Sequence, residues 1–334
     1  MDGFLILEWV VKSTFLLIVL LTGFAYLTFY ERKALARIQV RVGPNRAGPG
    51  GWLQPVADGI KLIFKEELIP AQAYKIVFVL APLITVVPAF VILAVLPWGT
   101  SITLFGREIP LYLTDINVAV LYIVSITSIS VYGIVLAGWS SNNKYSMLGG
   151  MRSSAQMISY ELALGLAFIG PILLAGSMSL VTIVEAQKPI WFVIYQPIGA
   201  LIFFVAVLAE VNRAPFDMPE AEQELTAGYH TEYSGMKFAL FFMAEYIKMI
   251  AVSAVAATLF FGGYRGPFVD QLPILGPLYL FIKIMVLLFI MIWVRATLPR
   301  IRYDRLMAFG WKVMLPAALI NVLVTAVILV LIGG

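Results

Sequence analysis

Apolar runs long enough to cross a bilayer recur along the chain, separated by polar connections. A membrane-crossing helix needs about 20 apolar residues. That length predicts spans over Leu5–Tyr30, Ile76–Leu96, Ile116–Trp139, Ala155–Ala175, Trp191–Glu210, Phe238–Phe261, Pro277–Leu298 and Trp311–Ile332. The pattern predicts an all-α polytopic membrane protein with about eight transmembrane helices, one interfacial amphipathic helix and long cytoplasmic loops. It reads as a single membrane domain over 1–334, in which 31–75 forms the first cytoplasmic loop and 210–237 an acidic one.

Two features of the connections refine this. The first apolar run lacks a basic leader and a small-residue cleavage site and is followed at once by Glu31-Arg32-Lys33, so it reads as a retained span. Basic residues collect in alternate loops: Arg32, Lys33, Arg37, Arg41, Arg46, Lys61 and Lys65, then Lys144 and Arg152, Arg213 and Lys237, and Arg300, Arg302, Arg305 and Lys312. The other loops offer Arg107, Lys188 and Arg265. By the positive-inside rule the odd-numbered loops are cytoplasmic and both termini lie outside. Within the first loop, Gly43–Gly51 is a set of turns, and from Pro55 onward Val56, Ile60, Ile63 and Phe64 recur at helical spacing while Asp58, Lys61 and Lys65 fall on another face. That predicts a short helix lying in the membrane interface, as an anchor or as the wall of a ligand path.

Composition narrows the chemistry. The chain is 61% hydrophobic and 13% charged, outside the range of soluble globular proteins, and its net charge of +4 is accounted for by orienting loop residues without nucleic acid. With no cysteine and one histidine, it has neither the thiolates of an iron–sulfur cluster nor the paired histidines of a membrane haem. No metal site is expected, since His230 lacks converging ligands. Any electron chemistry the chain serves belongs to a partner or a mobile carrier.

Six of the nineteen acidic residues, Glu210, Asp217, Glu220, Glu222, Glu224 and Glu232, fall between two spans, in a stretch where Pro215 and Pro219 forbid a continuous helix. Inside the spans, where ionisable groups are costly and mark function by default, stand Glu161 and Glu245, placed in the same half of the bilayer as Glu210. Glu161 is expected about 10 Å along its span, at 1.5 Å per residue from an entry near Ala155. Desolvation and mutual repulsion raise carboxyl pKa values, so such a series can take up and exchange protons near neutral pH. The plainer alternative is a set of salt bridges, with Glu245 paired to Lys248 three residues on.

Several long motifs carry a resemblance: Glu31–Asn45 (ERKALARIQVRVGPN), Leu53–Leu62 (LQPVADGIKL), Gly138–Tyr145 (GWSSNNKY), Ala155–Glu161 (AQMISYE), Ala209–Glu224 (AEVNRAPFDMPEAEQE) and Glu232–Phe242 (EYSGMKFALFF). Together they resemble the H-subunit family of bacterial NADH-quinone oxidoreductase, respiratory complex I, whose mitochondrial equivalent is NADH dehydrogenase subunit 1. The resemblance implies a subunit of that translocase with quinone as substrate and no flavin, haem or iron–sulfur cluster of its own. Its partners would be the hydrophilic quinone-module subunits, neighbouring small and antiporter-like membrane subunits, and lipid of the inner (plasma) membrane. It implies that Glu31, Arg32, Arg41, Asp58 and Lys61 lie on the quinone path, and that Arg213, Phe216, Asp217, Glu220, Glu222 and Glu224 form the acidic loop beside it. Glu161, Glu210 and Glu245 would continue that loop into the membrane as a proton relay. The alternatives are the homologous membrane subunit of an energy-converting hydrogenase or deazaflavin-dependent dehydrogenase, and a free-standing proton or ion transporter.

Overall fold

The computed structural model describes residues 3–104, 107–217 and 227–333. The chain begins with α1 (Gly3–Ile38), a glycine-rich turn and α2 (Gln54–Phe64), then α3 (Lys75–Val91), which a 3-10 turn continues to Val95. A hairpin of β1 (Ser101–Leu104) and antiparallel β2 (Arg107–Pro110) follows, with Ile102 opposite Ile109. After it come α4 (Ala119–Ser140), α5 (Lys144–Ala175), α6 (Leu180–Ala186), α7 (Phe192–Tyr195) and α8 (Pro197–Glu210). The chain ends with α9 (Gly235–Phe260), α10 (Leu275–Thr297), α11 (Tyr303–Phe309), a π-helical turn at Gly310–Met314, and α12 (Leu315–Gly333). Among the described residues, seven helices are long and apolar enough to cross a membrane: α1, α3, α4, α5, α9, α10 and the α11–α12 unit. The chain is an all-α, multi-pass membrane protein.

Three of the expected boundaries move. α1 continues through the good helix formers Ala34, Leu35 and Ala36 to Ile38, so Glu31 and Arg32 belong to the helix and not to a loop. α5 starts at Lys144, where the Asn143 side chain caps it by accepting the Tyr145 N–H at 3.0 Å. Glu161 therefore lies roughly 26 Å from the start of the helix at 1.5 Å per residue, and the stretch before Ala155 is a helical extension of the expected span. Hydropathy missed this first part because Lys144–Ser154 is polar and carries Gly149 and Gly150, which here serve close packing. A side chain at Gly149 would meet the backbone of Gly228 and Tyr229 at 2.7 Å.

The third change is in the fifth expected span, which is broken. α7 and α8 meet at Gln196, and α8 has 14 residues, about 21 Å of helix and short of a 30 Å hydrocarbon core. Pro197 starts the second helix, and the Gln196 side chain fills the break, donating to Thr325 Oγ1 at 2.6 Å and accepting from Asn321 Nδ2 at 3.0 Å. These polar groups join the break to α12, an arrangement that hydrocarbon surroundings favour because unpaired amides are costly there.

α9 is the central helix. Its second half, Ala251–Phe260, is buried at every position, and its run of alanine, serine and valine lets neighbouring backbones come close. Its far end is held by Lys283 on α10, whose ammonium donates to the carbonyls of Phe261, Gly263 and Arg265 at 2.7 to 2.8 Å. By contrast α1 and α12 present most of their large apolar side chains outward. α2 lies against α1 and α9 but buries none of its own residues. Arg32 reaches Asp58 at 2.6 Å and Gln54 supports the same carboxylate at 3.0 Å, while Val56, Ile60, Ile63 and Phe64 are each more than half exposed.

Candidate functional site

The site grows from the turn after α8. Asn212 takes a left-handed backbone (φ 56°), which asparagine tolerates better than most residues, and so ends the helix and aims Arg213 back into the bundle. Gln156 on α5 holds this turn from below, donating to the carbonyls of Ala209 and Phe216, both at 2.7 Å. Phe216 packs on Tyr160 with ring centroids 5.7 Å apart, and the Pro215 carbonyl accepts from the Ile301 backbone at 3.1 Å. Asp217, half-buried, closes the described part of the loop.

Arg213 is the hub of the charged groups. Its guanidinium lies 3.2 Å from Glu31 on α1 and 2.5 Å from Glu245 on α9, and its plane covers the Tyr246 ring at 4.5 Å. The Glu245 contact is coulombic, since the Nε proton is not aligned on the carboxylate as in a directed hydrogen bond. Glu31 is 2% exposed and also pairs with Arg295 on α10. Burial is the largest influence on Arg213 and works against its charge. The carboxylates of Glu245 and Glu31 together outweigh it, so the proton is held more tightly than in water.

One turn deeper on α9, Lys248 lies 2.9 Å from Glu210 and donates to Ser130 Oγ at 3.2 Å. Glu161 accepts a hydrogen bond from Ser128 and makes no ion pair among the described residues. Four carboxylates thus stand with three cations in two groups, Glu31 and Glu245 with Arg213 and Arg295, and Glu210 and Glu161 with Lys248, and Glu31 and Glu210 each keep one oxygen that accepts no hydrogen bond among the described residues. A small cavity of about 40 Å³ lies in the middle, bordered by Ser130, Glu210, Asn212, Tyr229, Glu245 and Lys248. Glu210 also borders a second, narrow apolar space of about 10 Å³ between Ile123, Phe168, Phe203 and Val252.

The structure therefore brings together Glu31, Arg213, Phe216, Glu210 and Glu245, with Glu161 at the edge. It does not bring Arg41 or Lys61 to them. Both are exposed, and Arg41 pairs with Gln39 at 2.6 Å. Arg32 and Asp58 form their own pair on the α1–α2 side. Glu220, Glu222 and Glu224 lie outside the described residues. Among the described residues no set of three His, Cys, Asp or Glu side chains converges on a metal position. The cluster also contains Arg295, Lys248, Tyr246, Gln156 and Ser130, of which the sequence offers only Lys248, and that as a local partner for Glu245. Arg295 looks like an ordinary orienting cation at a span end, and Gln156 lies inside the Ala155–Glu161 motif without any charge to draw attention.

Comparison with known proteins decides the family. The profile described as NADH dehydrogenase matches residues 11–326. The chain belongs to the H-subunit family of NADH-quinone oxidoreductase. The second of the NADH-quinone oxidoreductase H subunits of Syntrophobacter fumaroxidans is 51% identical over 323 residues, covering 97% of this chain and 96% of that protein. The H subunit of Thermomicrobium roseum is 53% identical over 94% of this chain and 93% of its own length, and the first H subunit of Geobacter metallireducens is 51% identical over 96% of each. In this family the chain is a membrane subunit of a multi-subunit oxidoreductase.

Proposed function

We propose that this chain forms part of the wall of a quinone path in complex I and couples quinone reduction to proton translocation through its buried charges. The observation that carries this reading is Arg213, bridging Glu31 on the α1–α2 side and Glu245 at the head of the charges leading to Glu210 and Glu161. A change in charge near Glu31 is felt at Glu245 through one shared guanidinium, because buried pairs in low dielectric are strongly coupled. Arg32, Asp58, Arg41 and Lys61 supply the polar mouth of the path, and Phe216 with Arg213 its inner wall. Asp217, Glu220, Glu222 and Glu224 supply the acidic loop that exchanges protons with water. Glu161, half-buried and not ion-paired among the described residues, is the member best placed to pass charge on to neighbouring membrane subunits.

In this reading the membrane is the bacterial inner membrane, the loops that carry Arg213 and α2 face the cytoplasm, both termini face outward, and the redox cofactors belong to partner subunits. The near full-length likeness to proteins named as H subunits of NADH-quinone oxidoreductase favours quinone over hydrogen or deazaflavin as the coupled chemistry. The test is Glu210→Gln and Asp217→Asn in the assembled complex. NADH oxidation by an artificial acceptor should persist while quinone reduction or proton pumping falls. Wild-type quinone turnover and pumping in both variants removes these residues from the mechanism.

A further inference from the structure

We propose that Lys248 is a two-position counter-ion. Paired with Glu210 it keeps that carboxylate ionised, and turned toward Glu245 it leaves Glu210 to take up a proton. This role serves the charge relay proposed above and depends on it for its purpose.

Lys248 is 7% exposed and Glu210 3%, so neither finds its partner in water. Glu245 and Lys248 are three residues apart, on one face of α9, and both border the same cavity, so the ammonium can exchange partners by rotating its flexible four-carbon stem without moving the helix. The exchange leaves no cation stranded. Arg213 holds two carboxylates, Glu31 and Glu245, and keeps Glu31 if Lys248 takes over Glu245.

Glu210 is then a buried carboxylate without a cation, which is strongly unfavourable until it is neutralised. The oxygen available is Oε2, which accepts no hydrogen bond among the described residues. An O–H bond forms there as a hydronium ion in the cavity gives up its proton, so the cluster gains one positive charge and water is released. The neutral acid then borders the apolar space between Phe168 and Phe203, which suits a protonated carboxyl better than an ionised one. Glu161 is close enough to interact with both Glu210 and Lys248.

The experiment uses infrared spectroscopy and pumping assays on the whole complex. Lys248→Met should show, in the resting enzyme, a protonated-carboxyl band that disappears when Glu210→Gln is added, together with at least a two-fold fall in protons pumped per electron. Lys248→Arg, which keeps the charge, should show no such band at rest. Lys248→Met without a Glu210-dependent band overturns the assignment. If Lys248→Met does not assemble, Glu245→Gln tests the same exchange from the other side. It removes the second position, so the Glu210 band that appears on quinone reduction in the wild type should be lost, and its persistence also overturns the role. Failure of the relay itself looks different: Lys248→Met shows the band, yet Glu210→Gln pumps at the wild-type rate.

Discussion

Glu245 and Lys248 sit three residues apart on α9, the spacing at which a helix brings opposite charges together, yet each is paired elsewhere, Glu245 with Arg213 and Lys248 with Glu210. The partners come from the end of α8 and the turn after it, so the charges of α9 act as links between elements. This arrangement makes the site sensitive to single substitutions in ways that can be measured.

Arg213→Lys keeps the charge but loses the planar fork that reaches two carboxylates at once. One of Glu31 and Glu245 is then left with a weaker partner. Removing a partner from a buried pair costs roughly 3 to 5 kcal/mol, and Arg213→Ala should reach that range while Arg213→Lys falls below it. Thermal denaturation of the complex should order the proteins as wild type, Arg213→Lys, Arg213→Ala, and quinone reduction should fall in the same order.

Gln156→Leu removes the amide that holds the Arg213 turn by two carbonyls. The Ala209 carbonyl keeps the Asn212 N–H at 3.3 Å, while the Phe216 carbonyl loses its donor, which costs about 1 to 3 kcal/mol. The expected result is faster amide exchange over residues 209–217 and lower quinone turnover, with little change at α10. Unaltered exchange in that turn would show that other contacts suffice to hold it.

Gly149→Ala forces a methyl group into the backbone of Gly228 and Tyr229, which cannot yield as a side chain tip would. Overpacking of this kind costs roughly 1 to 3 kcal/mol. Because the strain falls on the segment that joins the acidic loop to α9, quinone reductase activity should drop more than NADH oxidation by an artificial acceptor. Equal loss of both would point to general misassembly.

His230 is buried among Tyr229, Phe238 and Phe242, and burial pushes its pKa down to about 4. An opened form of this loop has an ordinary histidine pKa of about 6.5. Between these values the open form binds a proton and the closed form does not, so the contribution of His230 is intact above about pH 6.5 and is lost as pH falls toward 4. Amide exchange over residues 228–234, corrected for intrinsic rates, should rise by up to roughly two orders of magnitude across that window. His230→Phe should flatten the dependence.

The sequence by itself determined the membrane class, the family and most of the candidate acids. Apolar run length is a direct consequence of bilayer thickness, and acids inside such runs are conspicuous because hydrocarbon excludes them. It also marked the turn at Arg213, through Pro215 and the polar residues around it. Pairing was beyond its reach. Local spacing offered Glu245–Lys248, whereas the structure chose Arg213–Glu245 and Lys248–Glu210, because burial rewards a partner delivered from another helix and a neighbour on the same helix must compete with it. The break at Gln196 was hidden because it relies on groups distant in sequence, Asn321 and Thr325 on α12, and the early start of α5 because its capped first turns are polar and carry glycines that hydropathy does not register. Hydropathy is a property of segments, while the partner of a buried charge is a property of the packed bundle.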